Sequence, residues 1–126
     1  MRIALVGRTS ADVRDVMVEG RSGLLAVFPP NQRPVYEPSK RRITFHTGAV
    51  ATTYSADEPE MLRGPEHDTA WADELCAWRF PDAWDQLQFG LRVGDDPKAI
   101  ITTTPKPSRL IRDLLKHPHC VVTHGS

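Results

Sequence analysis

The chain has 126 residues, enough for one domain with a buried core and short for a self-sufficient phosphate-cleaving enzyme. Sixteen basic and sixteen acidic side chains cancel, so contact with a polyanion has to come from local basic clusters and not from the field of the whole protein. No run approaches the roughly 18 apolar residues of a membrane span, the start lacks a signal-peptide pattern, and Cys76 and Cys120 form no CxxC pair, which argues against a disulfide scaffold or a zinc finger; a cytoplasmic protein with two free thiols is expected.

Arg2-Ile3-Ala4-Leu5-Val6-Gly7 is a β-branched-rich apolar run that stops at glycine, which predicts a buried strand. Ser10 is the expected N-cap of a helix from Ala11 to about Glu19, with Asp12 in its first turn, Val13, Val16 and Met17 on one buried face, and Gly20 as its stop. From Phe28 to Lys40 the prolines Pro29, Pro30, Pro34 and Pro38 rule out a helix or a central strand and predict a surface connection, ending in the basic Lys40-Arg41-Arg42. Ile43-Thr44-Phe45 and Ala49 to Tyr54 flank His46-Thr47-Gly48, a β-hairpin signal.

Glu60 to Gly64 has room for one helical turn before Pro65, and Thr69-Ala70-Trp71-Ala72 rises into Asp73-Glu74 as another buried strand. Trp78 to Arg92 reads as a helix interrupted near Pro81, with Trp84, Leu87 and Leu91 at helical spacing. Asp96-Pro97 turns the chain into a strand from Lys98 to Thr104 that Pro105 halts; Ser108 caps a helix from Arg109 to about Lys116 that Pro118 closes; Cys120 to Thr123 is a last predicted strand. Strands alternating with helices predict βαβ units and a parallel sheet covered on both faces. Both ends lack closing elements, so the chain is expected to be an excerpt of a larger domain.

The chemistry concentrates at strand ends. An Asp-Glu pair after an apolar strand suits a nucleotide hydrolase: the first carboxylate holds a Mg²⁺ shell where ligands collect in open α/β sheets, and the second orients and polarises the attacking water. Asp73 and Glu74 fit those roles; the same pair also suits the N-terminal region of a helix. Thr102-Thr103-Thr104 ends the next apolar strand with hydroxyls able to sense a γ-phosphate, and is equally compatible with plain β-propensity. Arg63, on the tight turn Leu62-Arg63-Gly64, is either a phosphate-reaching guanidinium, in cis or from a neighbouring subunit, or a solvated loop arginine. His117-Pro118-His119-Cys120 with His124 is a poor tetrahedral zinc set, because Pro118 and an apolar strand intervene. Trp71, Trp78 and Trp84 read as core, and Lys40-Arg41-Arg42 with Arg33 as a solvated edge or a DNA-phosphate contact.

Taken together, Ile3-Ala4-Leu5-Val6-Gly7-Arg8-Thr9, Tyr54-Ser55-Ala56-Asp57, Leu62-Arg63-Gly64, Trp71-Ala72-Asp73-Glu74 and Thr102-Thr103-Thr104-Pro105 resemble the tailed-phage terminase large subunit, the DNA-packaging ATPase, including its relatives in prophages and gene-transfer particles. The resemblance runs through nearly the whole chain. It implies a partial P-loop NTPase fold of the RecA/ASCE-like kind, α/β with a parallel sheet flanked by helices, residues 1–126 being the central part of the ATPase domain. ATP and Mg²⁺ are the implied ligands, with Asp73-Glu74 as Walker B and catalytic glutamate, Thr102, Thr103 and Thr104 as the coupling motif, Arg63 as a trans-acting finger, and Arg8-Thr9 at a strand tip that meets DNA. Implied partners are double-stranded DNA, the portal protein, the small terminase subunit and other large-subunit copies.

No G-x-x-x-x-G-K-S/T phosphate loop (Walker A) occurs in the sequence, and the family's nuclease domain with its acidic metal cluster is missing as well. The expectation is therefore a truncated or split motor segment. The alternatives are a non-catalytic remnant or interaction module with the same fold, and a helicase-like ATPase fragment.

Overall fold

β1 (Arg2–Gly7) has no charged side chain after Arg2, so it can be sealed on both faces, and Ala4, Leu5 and Val6 are all buried. The computed structural model describes residues 1–91, 97–104, 109–116 and 120–123. Within them β1 joins β2 (Val35–Glu37), β3 (Arg42–Thr44), β4 (Val50–Ser55), β5 (Thr69–Asp73) and β6 (Lys98–Thr102) in a six-stranded sheet of order β2-β3-β4-β1-β5-β6. The strands β4, β1, β5 and β6 run parallel, which brings Ser55, Gly7, Asp73 and Thr102 to one edge; β3 adds antiparallel to β4, and β2 antiparallel to β3. The expected hairpin is β3–β4, turning at Gly48 with φ +90°.

The helix after β1 departs from expectation in two ways. Thr9, not Ser10, caps it: the Thr9 hydroxyl accepts the Asp12 N–H at 3.1 Å ahead of α1 (Ser10–Asp12). From Val13 to Val18 the spacing becomes π-helical, and the Glu19 N–H reaches the Arg14 carbonyl at 2.9 Å. This i→i+5 bonding turns Val13, Met17 and Val18 inward and leaves Val16, expected inside, 55% exposed. The segment lies so close to the sheet that a Cβ at Gly7 would stand 2.7 Å from Val13 Cγ2.

Two apolar clusters sandwich the sheet. On one face Leu5, Ile43 and Ala51 meet Val13, Met17 and Val18, with Leu24 and Leu25 of α2 (Leu24–Val27) packed at the margin. On the other, small residues (Ala4, Ala70 and Ala72) let Trp84, Leu87 and Leu91 of α3 (Asp82–Leu91) approach, and Leu62 of the 3-10 turn Pro59–Leu62 joins them. Leu110 and Leu114 of α4 (Arg109–Leu115) pack on the same cluster. The proline-rich connection holds an unexpected element, β2, which sits at the sheet edge where prolines on either side remove no ladder bond.

Cys120 to Thr123, expected as a strand, is not one: these residues are irregular and exposed, Val121 to 88%. The expected Asp96 turn, the Pro105 stop, the Ser108 cap, the Pro118 closure and the His117, His119 and His124 set lie outside the described residues. Among the described residues no helix is long and apolar enough to cross a membrane.

The chain enters β5 through a buried latch. Tyr54 Oη and His67 Nε2 are 3.1 Å apart with the rings edge-on, and the His67 N–H bonds to the Gly90 carbonyl at 3.2 Å. A Cβ at Gly90 would lie 2.5 Å from the Pro65 carbonyl oxygen, a backbone atom that cannot swing aside. Gly90→Ala is therefore expected to destabilise by about 1–3 kcal/mol despite the better helix propensity of alanine, as read from urea midpoints.

Burial, reinforced by the charge of Arg2 and opposed by Asp68, holds the His67 imidazole below its ordinary range. The unfolded chain takes up this proton near pH 6.5 and the folded chain at lower pH, so stability is present above about 6.5 and is lost as the pH falls toward the folded value. Between pH 7.5 and 5.5 the wild-type urea midpoint should drop further than that of His67→Gln; equal drops would show that His67 is not the linked group.

Candidate functional site

At the shared edge of the parallel strands, the register Asp73↔Thr102 places the end of β5 directly opposite the end of β6. The Thr102 hydroxyl donates to Asp73 Oδ1 at 2.5 Å, a charge-assisted bond, and accepts the Trp71 indole N–H at 2.8 Å. The next two threonines continue the stitching: Thr103 Oγ1 accepts the Cys76 N–H at 3.1 Å, and Thr104 Oγ1 lies 3.5 Å from Glu74 Oε1. From the far side the Trp78 indole N–H donates to the Asp73 carbonyl at 2.9 Å. All five residues expected at this tip are thus gathered within hydrogen-bond reach.

β5 stops at Asp73 because Glu74 turns left-handed, with φ +51° and ψ +47°. For a residue with a Cβ that conformation costs about 1–2 kcal/mol. The hydrogen bond from its N–H to the Thr102 carbonyl at 2.5 Å and the Ala77 N–H on its own carbonyl at 2.9 Å hold it there. Glu74 Oε1 lies within reach of Thr104, and Glu74 lines the same cleft as Asp73.

Asp73 and Glu74 form one wall of a cleft of about 250 Å³, and Arg8, Asp12, Val16 and Ala77 complete its lining. Arg8 Nε donates to Asp12 Oδ2 at 2.9 Å, one helical turn on. That hydrogen bond and charge, with the further charges of Asp57 and Glu74, raise the Arg8 guanidinium above its ordinary value. The cleft wall is largely apolar but carries charge of both signs, the Arg8 cation with the carboxylates of Asp12, Asp73 and Glu74.

The other expected residues lie apart from this cleft. Arg63 is not among its lining residues; it follows the turn Pro59–Leu62 with its side chain 66% exposed and Nη2 4.0 Å from Asp82 Oδ2. Thr9 spends its hydroxyl lone pair on the helix cap. Two residues of the constellation are missing from the sequence reading. Asp12 was legible only as a first-turn acid, although its spacing of four from Arg8 signals an ion pair. Trp71 read as core, yet it is two residues from Asp73 and so on the same face of β5.

Among the described residues no three His, Cys, Asp or Glu side chains cluster in a way that holds a metal by themselves. A Mg²⁺ ion that shares its coordination among one or two carboxylates, water and phosphates demands less, and Asp73 with Glu74 meets that lesser requirement.

Comparison with known proteins gives the geometry a family. A family model described as "Terminase large subunit, T4likevirus-type, N-terminal" matches residues 1–121. The fold is similar to the large terminase of a thermophilic bacteriophage (TM-score 0.65, 13% identity, covering 82% of this chain and 26% of that one). It is similar also to the large terminase ATPase domain of a Thermus phage (TM-score 0.63, 21% identity, 90% and 51%). A third similar structure is the large terminase of the same thermophilic bacteriophage in complex with ADP (TM-score 0.59, 13% identity, 80% and 25%). At these identities the likeness establishes fold, and the chain spans between a quarter and about half the length of the structures it matches. No curated protein matches the chain. On the strength of a match over residues 1–121, the chain belongs to the terminase large-subunit family, T4likevirus-type, in its N-terminal domain.

Proposed function

We propose that residues 1–126 are the central part of the ATPase domain of a viral DNA-packaging terminase large subunit, carrying the Walker B and coupling motifs that link ATP hydrolysis to movement of double-stranded DNA into a procapsid. The observation that carries this reading is the join between two strand tips, in which Thr102 Oγ1 sits 2.5 Å from Asp73 Oδ1 and Thr104 approaches Glu74. Family membership and the ADP complex of a similar large terminase support a nucleotide at that edge.

In this reading Asp73 holds the metal and Glu74 polarises the attacking water. When bound, Mg²⁺ neutralises charge on the β- and γ-phosphate oxygens. Thr102, Thr103 and Thr104 sense the terminal phosphate through their hydroxyls and pass its presence along β6, because each is already bonded to the Asp73–Cys76 turn. Arg63, solvent-exposed on its turn, is available to the nucleotide of a neighbouring large-subunit copy. In the same reading Arg8, paired with Asp12, meets a DNA phosphate beside the cleft, and Thr9 serves it by capping the helix that carries Asp12. Double-stranded DNA, the portal protein and the small terminase subunit are the partners this function requires.

No phosphate-loop motif lies within the 126 residues, so we assign to them the metal, water-activating and coupling half of the site and none of the phosphate cradle. The same absence favours a second reading, a catalytically silent module that keeps the fold. Purified alone, the chain is expected to hydrolyse no ATP; Mg²⁺-dependent hydrolysis abolished by Asp73→Ala would show that other residues build a cradle. In a complete terminase ATPase domain carrying a phosphate loop, Glu74→Gln should cut turnover by about 10²-fold or more while sparing ATP binding, and unchanged turnover would sink the assignment.

The left-handed Glu74 makes a separate expectation. Glu74→Gly relieves the positive φ and should raise stability by up to about 1 kcal/mol in a thermal melt, the gain being reduced by the greater freedom of glycine in the unfolded chain. A fall in stability would mean that the Glu74 side chain, and not function, keeps the residue there.

A further inference from the structure

The reading of Asp73 as the metal carboxylate leaves open what holds that carboxylate in one orientation, and the answer lies on the strand that carries it. Trp71, Asp73 and Thr102 share a face of the sheet: Trp71 and Asp73 are two apart on β5, and Thr102 is registered opposite Asp73 on β6. Trp71 and Thr102 are thus a diagonal cross-strand pair, a separation that a long aromatic side chain can bridge and a short one cannot. The indole spans it, with Nε1 2.8 Å from Thr102 Oγ1, and that oxygen is 2.5 Å from Asp73 Oδ1.

Hydrogen-bond valence sets the direction of the chain. An indole N–H can only donate, an ionised carboxylate can only accept, and a hydroxyl has one proton with lone pairs to spare. Trp71 therefore takes a lone pair of Thr102, and the one hydroxyl proton is left for Asp73. Without the indole the hydroxyl is free to rotate its proton toward solvent or a backbone carbonyl. The bond on Oδ1, with the Trp78 bond to the Asp73 carbonyl, restricts rotation of the carboxylate that lines the cleft.

We propose that Trp71 is a positioning residue of this site, whose indole N–H locks the Thr102 hydroxyl onto Asp73 and so holds the metal-binding carboxylate and the coupling strand as one unit. The proposal rests on the site assignment above for its functional meaning, but its physical content can be measured without nucleotide. Trp71→Phe removes the N–H and keeps an aromatic ring; Thr102→Val removes the hydroxyl and keeps the shape; Thr102→Ser restores the hydroxyl.

In NMR spectra of the 126-residue chain, the Trp71 indole proton should move upfield in Thr102→Val and return toward its wild-type position in Thr102→Ser. Three-bond couplings of the Thr102 side chain should report one χ1 rotamer in the wild type and averaging in Trp71→Phe, with thermal midpoints alike. An indole resonance that ignores Thr102→Val, or a single Thr102 rotamer that survives in Trp71→Phe, overturns the proposal. Should Thr102→Val not fold, the comparison of wild type with Trp71→Phe decides alone. Failure of this relay is distinct from failure of the site assignment, which falls only if Glu74→Gln leaves turnover unchanged in the complete domain.

Discussion

The β5–β6 register is the constraint on which the site depends. Side chains alternate across a strand, so a slip of one residue would turn Asp73 and Trp71 to the α3 face and bring alanine to the cleft. What pins the register is burial on both sides: Ala70 and Ala72 fit beneath α3, where Trp71 or Asp73 could not, while Trp71 lies against the cluster of Leu5 and Met17. The polar bonds at the tip then work on strands already in place. They contribute direction more than stability, since hydrogen bonds at an exposed edge compete with water.

A second constraint comes from the other side of the cleft. Gly7 lets the helix beginning at Ser10 lie close over the end of β1, and this closeness puts Arg8 and Asp12 across from Glu74. A larger residue at position 7 would lift the helix and open the cleft, although it touches no ligand. Backbone and charge thus converge from two separate parts of the chain, the β1 exit and the β5 exit, which meet only because both strands run parallel and side by side.

Much of this was legible in the sequence where burial and chemistry agree. β1, β5 and β6 carry apolar runs, and the Asp73-Glu74 and Thr102–Thr104 tips follow directly from where the last two of those runs stop. Legibility failed where tertiary context overrides local pattern. Val35–Glu37 pairs at the sheet edge in spite of its prolines, and Cys120–Thr123 has the composition of a strand but no strand partner among the described residues. The π-helical spacing after Val13 has no local signature, and it is why Val18 took the inner place assigned to Val16. Trp71 was half legible: it packs against the core as read, but its polar edge shows only when the partner strand is placed beside it.

The strand order has a consequence for how the chain comes into being. β1 precedes all the others, yet its two partners are β4 and β5, so its ladder is completed only after about seventy further residues have left the ribosome. At synthesis rates of about 5–20 residues per second, the apolar run Ile3–Val6 waits several seconds with both edges unpaired. The hairpin β3–β4 closes locally and can form first, offering β1 a ready template on one side. Completion of the central strand of the sheet thus depends on β5, the later of its two partners to be made.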